Sequence, residues 1–190
     1  MSRPGTGPRA GAIVTTHAGL DADAAVEALY AAHWRRLVRL SVLLVRDVGT
    51  AEEIVQDAFV AMHGRWSHLH DPDKALAYLR QAVVNRSRSA LRHRRVVDRH
   101  ARREAGLTLL TAPDATQGAT DHARREVVLD ALRALPRRQR EVLALRYYLE
   151  LSETEIADTL GISAGAVKSH ASRGAAALRT QLAAHQEDLR

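Results

Sequence analysis

Two stretches of the sequence carry side chains whose types and spacing suit nucleic acid. The first, residues 152–182, reads S-ETEIADTL-GIS-AGAVKSHASRGAAALRTQL. Ser152-Glu-Thr-Glu155 fits a capping box, in which the hydroxyl satisfies a free N–H and the glutamate reaches back. The spacing predicts a short helix over 153–160, a stop at Gly161, a three-residue turn, and a longer helix from about Ala164. That is a helix-turn-helix layout, whose second helix enters the major groove. At about 100° per residue, Val167, Ala171, Gly174, Leu178 and Leu182 fall within an arc of about 80°. Lys168, Ser169, Ser172 and Arg173 occupy the other side. One face is small and apolar, fit for close packing; the other offers cations and hydroxyls for phosphates and base edges.

The second stretch runs from Tyr78 to Arg103. It holds nine arginines (80, 86, 88, 92, 94, 95, 99, 102, 103) against one acid, Asp98, a net of +8. A helix over about 73–100 places Arg80, Arg88, Arg92 and Arg95 on one side, with Gln81 and Asn85 at its margin. Leu76, Leu79, Val83 and Ala90 lie opposite. Such one-sided charge is an electrostatic footprint for phosphates, each contact releasing counterions. Tyr78 adds a stacking ring and Asn85 a base-edge reader.

Patterns for other chemistry are weaker. Gly161-Ile-Ser163-Ala-Gly165 matches the G-x-S-x-G nucleophile elbow, but that elbow needs a preceding strand and here a helix precedes it. His63, His68 and His70 are close in sequence, yet lack supporting carboxylates or an i, i+4 pair, so they read as surface residues at a helix end. Cysteine is absent, which excludes disulfides, thiol catalysis and thiolate zinc sites. A nuclease would need clustered Asp, Glu and His at ligand spacing. We therefore expect no catalytic residue, no metal and no cofactor.

The elements that position these side chains are all helical. The chain has 190 residues, a net charge of +6 and a pI near 10.4, with 46% apolar and 4% aromatic residues. That content supports packed cores and argues against a large β-sandwich. No apolar run reaches membrane length, and the N-terminus offers no adequate signal-peptide core. A soluble, cytoplasmic, basic protein is expected. Residues 1–20, rich in Gly, Pro and Thr, read as a flexible tail. A helix over 51–66 presents Ile54, Val55, Ala58, Phe59, Met62 and Trp66 on its apolar side. Its other side carries Glu52, Glu53, Gln56 and Asp57, which repel phosphates and suit water or a basic protein partner. Thr50-Ala-Glu-Glu53 fits a second capping box, and Pro72 and Pro136 are placed to open helices. Residues 106–120 (GLTLLTAPDATQGAT) read as a linker. The expected fold is all-α: two small helical domains joined by a flexible linker.

With both motifs in view, residues 22–184 resemble the extracytoplasmic-function (ECF) sigma factors, the smallest members of the sigma-70 family of bacterial transcription initiation factors. AEEIVQDAFVAMHGRW is similar to region 2.2, AYLRQAVVNRSRSALRHRR to regions 2.3–2.4, and ALRALPRRQREVLALRYYLELSETEIADTLGISAGAVKSHASRG to region 4. The details are most similar to the actinobacterial SigE family. The resemblance implies the domains: tail 1–20, region 2 over 21–103, linker 104–121, region 4 over 122–185. It implies core RNA polymerase (β′ clamp and β flap) and promoter DNA as partners, with an anti-sigma factor as a further partner class. Glu53, Gln56 and Asp57 would meet the β′ clamp. Tyr78, Arg80, Asn85, Arg88 and Arg92 would open and read the −10 element. Lys168, Ser169, His170, Ser172 and Arg173 would read the −35 duplex, with Arg146 gripping the backbone nearby. Tyr78 stands where many members have Trp, Ser89 where many have Asp, and Ala166 where Thr is usual. These departures bear on promoter preference. The competing reading is a conventional helix-turn-helix regulator that binds duplex DNA alone, which has no need of the second basic helix.

Overall fold

A computed structural model describes the chain over residues 13–68, 74–104 and 119–188. All the secondary structure in those residues is helical: α1 (Ile13–Val45), α2 (Val48–His63), a 3₁₀ turn (Trp66–His68), α3 (Ala75–Glu104), α4 (Ala119–Ala134), α5 (Arg137–Leu143), α6 (Glu153–Leu160) and α7 (Ala164–Asp188). The expected start of a helix at Pro72, the linker over 106–120, and the His70 side chain lie outside the described residues.

Helices α1, α2 and α3 form the first unit. Leu37, Leu40 and Leu44 of α1 meet Val55, Phe59 and Met62 of α2 and Leu79 and Val83 of α3 in one buried cluster. The apolar stripe expected on α2 is buried, except that Trp66 falls in the 3₁₀ turn and is half-buried. Two boundaries differ from expectation. Helix α1 begins at Ile13, inside the stretch read as a tail. Helix α2 begins at Val48, because Asp47 and not Thr50 is its cap: the Asp47 carboxylate accepts from the Thr50 N–H at 2.6 Å. An aspartate three residues upstream satisfies the same free N–H groups, so the helix starts earlier. Hydrogen bonds from Thr50 hold the Asp47 carboxyl below the usual carboxylate range.

The second unit is α4 to α7. Pro136 caps α5 from just outside rather than occupying its first turn. Past Leu143 the helix widens into a π turn (Ala144–Tyr148), closed by the Leu149 N–H on the Ala144 carbonyl at 3.3 Å. The extra residue per turn shifts the register. Leu145 stays buried while Tyr147 points to water, 66% exposed.

The two units share their core, which the sequence reading did not anticipate. The cluster built on α1–α3 continues through Val142, Leu145, Leu149, Ile156 and Val167. Polar links follow the same seam. Arg140, buried, donates to the Leu44 carbonyl at 3.1 Å, one of the last carbonyls of α1 and therefore without a helical donor. Arg36 donates to the Leu149 carbonyl at 3.1 Å. Arg46 pairs with Glu126 at 2.7 Å and also with Asp130.

Candidate nucleic-acid interface

The reading helix α7 is built from its ends inward. Ser152 and Glu155 complete the expected capping box: the Glu155 N–H donates to the Ser152 hydroxyl, and the Glu155 carboxylate accepts from the Ser152 N–H. Donation from the Ser152 N–H and from its hydroxyl holds the Glu155 carboxyl below the usual carboxylate range. Gly161 ends α6 with φ of 64°, a left-handed conformation that glycine adopts without Cβ strain. Ser163 then caps α7, accepting from the Ala166 N–H at 3.2 Å. The serine of the G-x-S-x-G match therefore serves a helix start.

Helix α7 turns its small face inward as expected. Val167, Ala171 and Gly174 are buried, and Leu178 packs partly buried on Leu132, Leu135 and Leu143. A Cβ on Gly174 would stand 3.1 Å from the Gln139 Cβ and 3.2 Å from Leu143, so glycine sets how closely α7 approaches α5. Lys168, Ser169, Ser172 and Arg173 are exposed on the outer face. Arg173 donates to the Ser169 hydroxyl at 2.6 Å, which aligns its guanidinium along the helix. His170 is only half-exposed, and its Nδ1 is buried without a hydrogen-bond partner. Arg146 and Lys168 both reach Glu153, at 3.3 and 3.6 Å, so the first turn of α6 gathers two expected phosphate-facing cations.

On α3 the expected residues divide. Asn85 and Arg92 are exposed, with Arg92 donating to Ser89 at 3.0 Å. Tyr78 is half-buried against the core. Arg80 and Arg88 are not free cations on a solvated face. Arg88 engages both carboxylate oxygens of Glu141, at 2.8 and 2.9 Å, and also donates to Asn85 at 2.9 Å. Arg80 lies 3.6 Å from Glu155. Burial lowers the Arg80 pKa, an effect that Glu155 opposes and Arg36 reinforces. The Arg95 side chain and those beyond Asp98 lie outside the described residues.

On α2, Glu53, Gln56 and Asp57 share one exposed face with Glu52, as the pattern predicted. His63, by contrast, pairs with Asp23 at 2.6 Å. No helix among the described residues is long and apolar enough to cross a membrane.

Sequence reasoning missed Glu141, Glu153 and Glu155 as partners of the cationic readers. For Glu141 a signal existed: it precedes Val142 and Leu143 on the side of α5 that has to be inside.

Comparisons with known proteins agree with this arrangement. The chain matches two protein-family models, "Sigma-70 region 2" over residues 29–104 and "Sigma-70, region 4" over residues 125–178. It is 35% identical over 154 residues to the RNA polymerase sigma-E factor of Streptomyces coelicolor, covering 81% of this chain and 84% of the relative. It is 33% identical over 167 residues to the ECF RNA polymerase sigma factor SigL of Mycobacterium tuberculosis, covering 84% and 89%. Among solved structures it is similar to CnrH in complex with the cytosolic domain of CnrY, with a TM-score of 0.67, 24% identity and coverage of 90% and 96%. It is also similar to the sigma factor RpoE in complex with the anti-sigma factor NepR from Bartonella quintana, with a TM-score of 0.66, 22% identity and coverage of 82% and 95%. Both structures share the fold. With regions 2 and 4 matched in order and a sigma-E relative aligned along most of both chains, the chain belongs to the sigma-70 family, as an ECF sigma factor of SigE type.

Proposed function

We propose that this protein binds core RNA polymerase, directs it to promoters with −35 and −10 elements, and promotes their opening. The observation that carries this reading is one chain holding two separate surfaces whose side chains suit nucleic acid. One is the capped helix-turn-helix with Lys168, Ser169, Ser172 and Arg173 on its open face. The other is the basic helix α3. A duplex-only regulator needs the first and has no use for the second.

In this reading α7 lies in the major groove of the −35 duplex. Arg173 reaches base edges, Lys168 and Arg146 meet phosphates, and Ser169, His170 and Ser172 complete the surface. Helix α3 holds the unpaired −10 strand, with Arg80, Arg88 and Arg92 on its backbone, Tyr78 stacking and Asn85 reading a base edge. Binding energy alone drives the melting: contacts made only to unstacked bases offset the cost of opening. No bond is made or broken by the protein, so it is not an enzyme. Glu53, Gln56 and Asp57 form an acidic face for the β′ clamp, and region 4 meets the β flap. An anti-sigma factor is a further partner class, as in the RpoE–NepR structure. The protein acts in the cytoplasm, where promoters are. Its working division is region 2 over 21–103 and region 4 over 122–185, with 1–20 and 104–121 outside them.

Capture of core polymerase by the purified chain, followed by promoter-dependent transcription in vitro, tests the reading. Retention of duplex binding without polymerase capture would favour the conventional regulator.

A further inference from the structure

We infer that Glu153 is a positioning residue that sets −35 selectivity: by bridging Arg146 and Lys168 it restrains the two phosphate-facing cations and lowers affinity for duplexes that lack the −35 sequence. The inference rests on the assignment of those two cations to phosphates of the −35 duplex.

The bridge joins three elements at one carboxylate. Arg146 comes from the π turn, Glu153 opens α6, and Lys168 lies on α7. The Arg146 guanidinium donates to one carboxylate oxygen at 3.3 Å, and the Lys168 ammonium lies 3.6 Å from the other. Glu153 also stands in the first turn of α6, where the helix dipole favours a negative charge. Its own helix therefore holds the carboxylate in place, and both of its oxygens serve the cations. Arg173 is treated differently. Among the described residues its polar contacts are to Ser169 on the same helix, and none is to an acid. The cations assigned to phosphates are tethered, and the one assigned to bases is not.

This division bears on selectivity. Phosphate contacts are the same on every duplex, so they raise affinity without discriminating. Untethered, Arg146 and Lys168 would swing on long side chains to phosphates in any register. Bridged, they keep one spacing and meet phosphates only where α7 is seated. Neither has to leave Glu153 to do so, because a guanidinium and an ammonium each have several N–H donors. The carboxylate also subtracts charge. Two cations and one carboxylate leave a single net positive charge at this corner, and glutamine in place of Glu153 would raise it to two. Non-specific binding is almost wholly electrostatic, so it should feel the added charge in full. On the −35 duplex the same gain is offset by lost pre-organisation. A bridge this exposed, with one third of the Glu153 side chain in solvent, adds little to stability, so its effect falls on binding.

The test uses core polymerase loaded with the full chain. One probe is a short duplex retained by polymerase carrying wild type from a randomised pool; the other is the same duplex with its selected bases scrambled. The core is common to every comparison, so its own DNA contacts cancel. Wild type should prefer the selected duplex. Glu153→Gln should bind the scrambled duplex several-fold more tightly, tighten on the selected one less, and so lose preference. Its gain on the scrambled duplex should shrink about threefold between about 50 and 200 mM salt, the counterion release of one added charge. Adding Glu153→Gln to a chain that already carries Arg146→Gln and Lys168→Gln should change nothing, since no bridge remains. Asp158→Asn makes an equal charge change at an exposed position of α6 and should keep the wild-type preference. Should Glu153→Gln fail to fold, Glu153→Asp keeps the charge at the helix start, is one methylene too short to hold both cations, and should lower the preference in the same direction. An equal gain on both duplexes, the same loss from Asp158→Asn, or an effect of Glu153→Gln that persists without the two cations overturns the inference and leaves the −35 assignment standing. Absence of any preference in wild type overturns that assignment, and the inference with it.

Discussion

Asp57 and Asn85 sit on α2 and α3 in opposite electrostatic settings, and a single substitution isolates the role proposed for each. Asp57 belongs to the exposed acidic face of α2, while Ala58 and Phe59 beside it are buried. Asp57→Arg therefore touches no core, and its stability should stay within about 0.5 kcal/mol of wild type. On the proposed clamp-binding role of this face, polymerase capture should weaken, since a cation replaces a carboxylate; unchanged capture would move the clamp-binding face elsewhere. Asn85 is exposed and accepts from Arg88 through its side-chain carbonyl. Asn85→Ala should reduce open-complex formation by about 1–3 kcal/mol, the value of a base-edge contact, and leave duplex binding near wild type. Equal loss in both assays would exclude a role in reading melted DNA. The types and spacing of these residues were legible in the sequence because exposure follows helical periodicity. The partners of Arg80 and Arg88 were not, since no local pattern pairs an arginine with a glutamate 53 residues on, as for Arg88, or farther, as for Arg80.

Helices α6 and α7 were the most legible elements, because capping and turn chemistry are local. Ser152, Gly161 and the start at Ala164 all stand where the pattern placed them. The start of α2 was misplaced by a competing local signal, Asp47, three residues ahead of Thr50. The Ser152–Glu155 box carries a pH dependence with a definite sign. The folded chain depresses the Glu155 pKa, so its contribution is present above the usual carboxylate range and lost as pH falls through the folded value. Ser152→Ala should cost about 1 kcal/mol at neutral pH and show a smaller further loss in acid than wild type; parallel acid melts would remove the box from the account. The α5–α7 contact sets two effects against each other at Gly174. Alanine there gains about 1 kcal/mol of helix propensity. It also meets the Gln139 Cβ, which cannot move without its backbone, and Leu143, which is buried. Overpacking of about 1–3 kcal/mol should win, so Gly174→Ala should lower Tm. On the opposite face, Arg173→Ala should leave Tm unchanged and relax sequence choice at one −35 position. Lys168→Ala should weaken all duplexes alike and shallow the salt slope by about one unit. If Gly174→Ala were neutral while Arg173→Ala unfolded the region, the inner and outer faces would be reversed.

At the scale of the molecule, the seam between the two units was invisible in the sequence, because its links join residues such as Arg36 and Leu149, 113 positions apart. Both stripes looked like the cores of separate small domains, since periodicity reports that a face is buried and not what covers it. One consequence of the seam is a sensitivity to mild acid. His33, Arg36, Leu37, Leu76, Arg80 and Leu149 line one cleft between the units. Burial lowers the His33 pKa, and the nearby charges of Arg80 and then Arg36 lower it further. The neutral imidazole is thus favoured in the folded chain, while the unfolded chain titrates near the ordinary value of about 6.5. Around that pH the unfolded state binds more protons, so stability rises with pH. The His33 contribution is complete above the ordinary value and is lost as pH falls toward the depressed one. Protonation would place a third cation beside two guanidiniums, of which Arg80 already lies against Glu155. Between about pH 7.5 and 5.5, either side of the ordinary imidazole value, wild type should lose more Tm than His33→Gln, whose amide does not titrate. The other histidines remain in both proteins, so the difference between the two curves belongs to His33. Superimposable curves for the two proteins would mean that His33 is solvated, and that α1 and the second unit do not close on it.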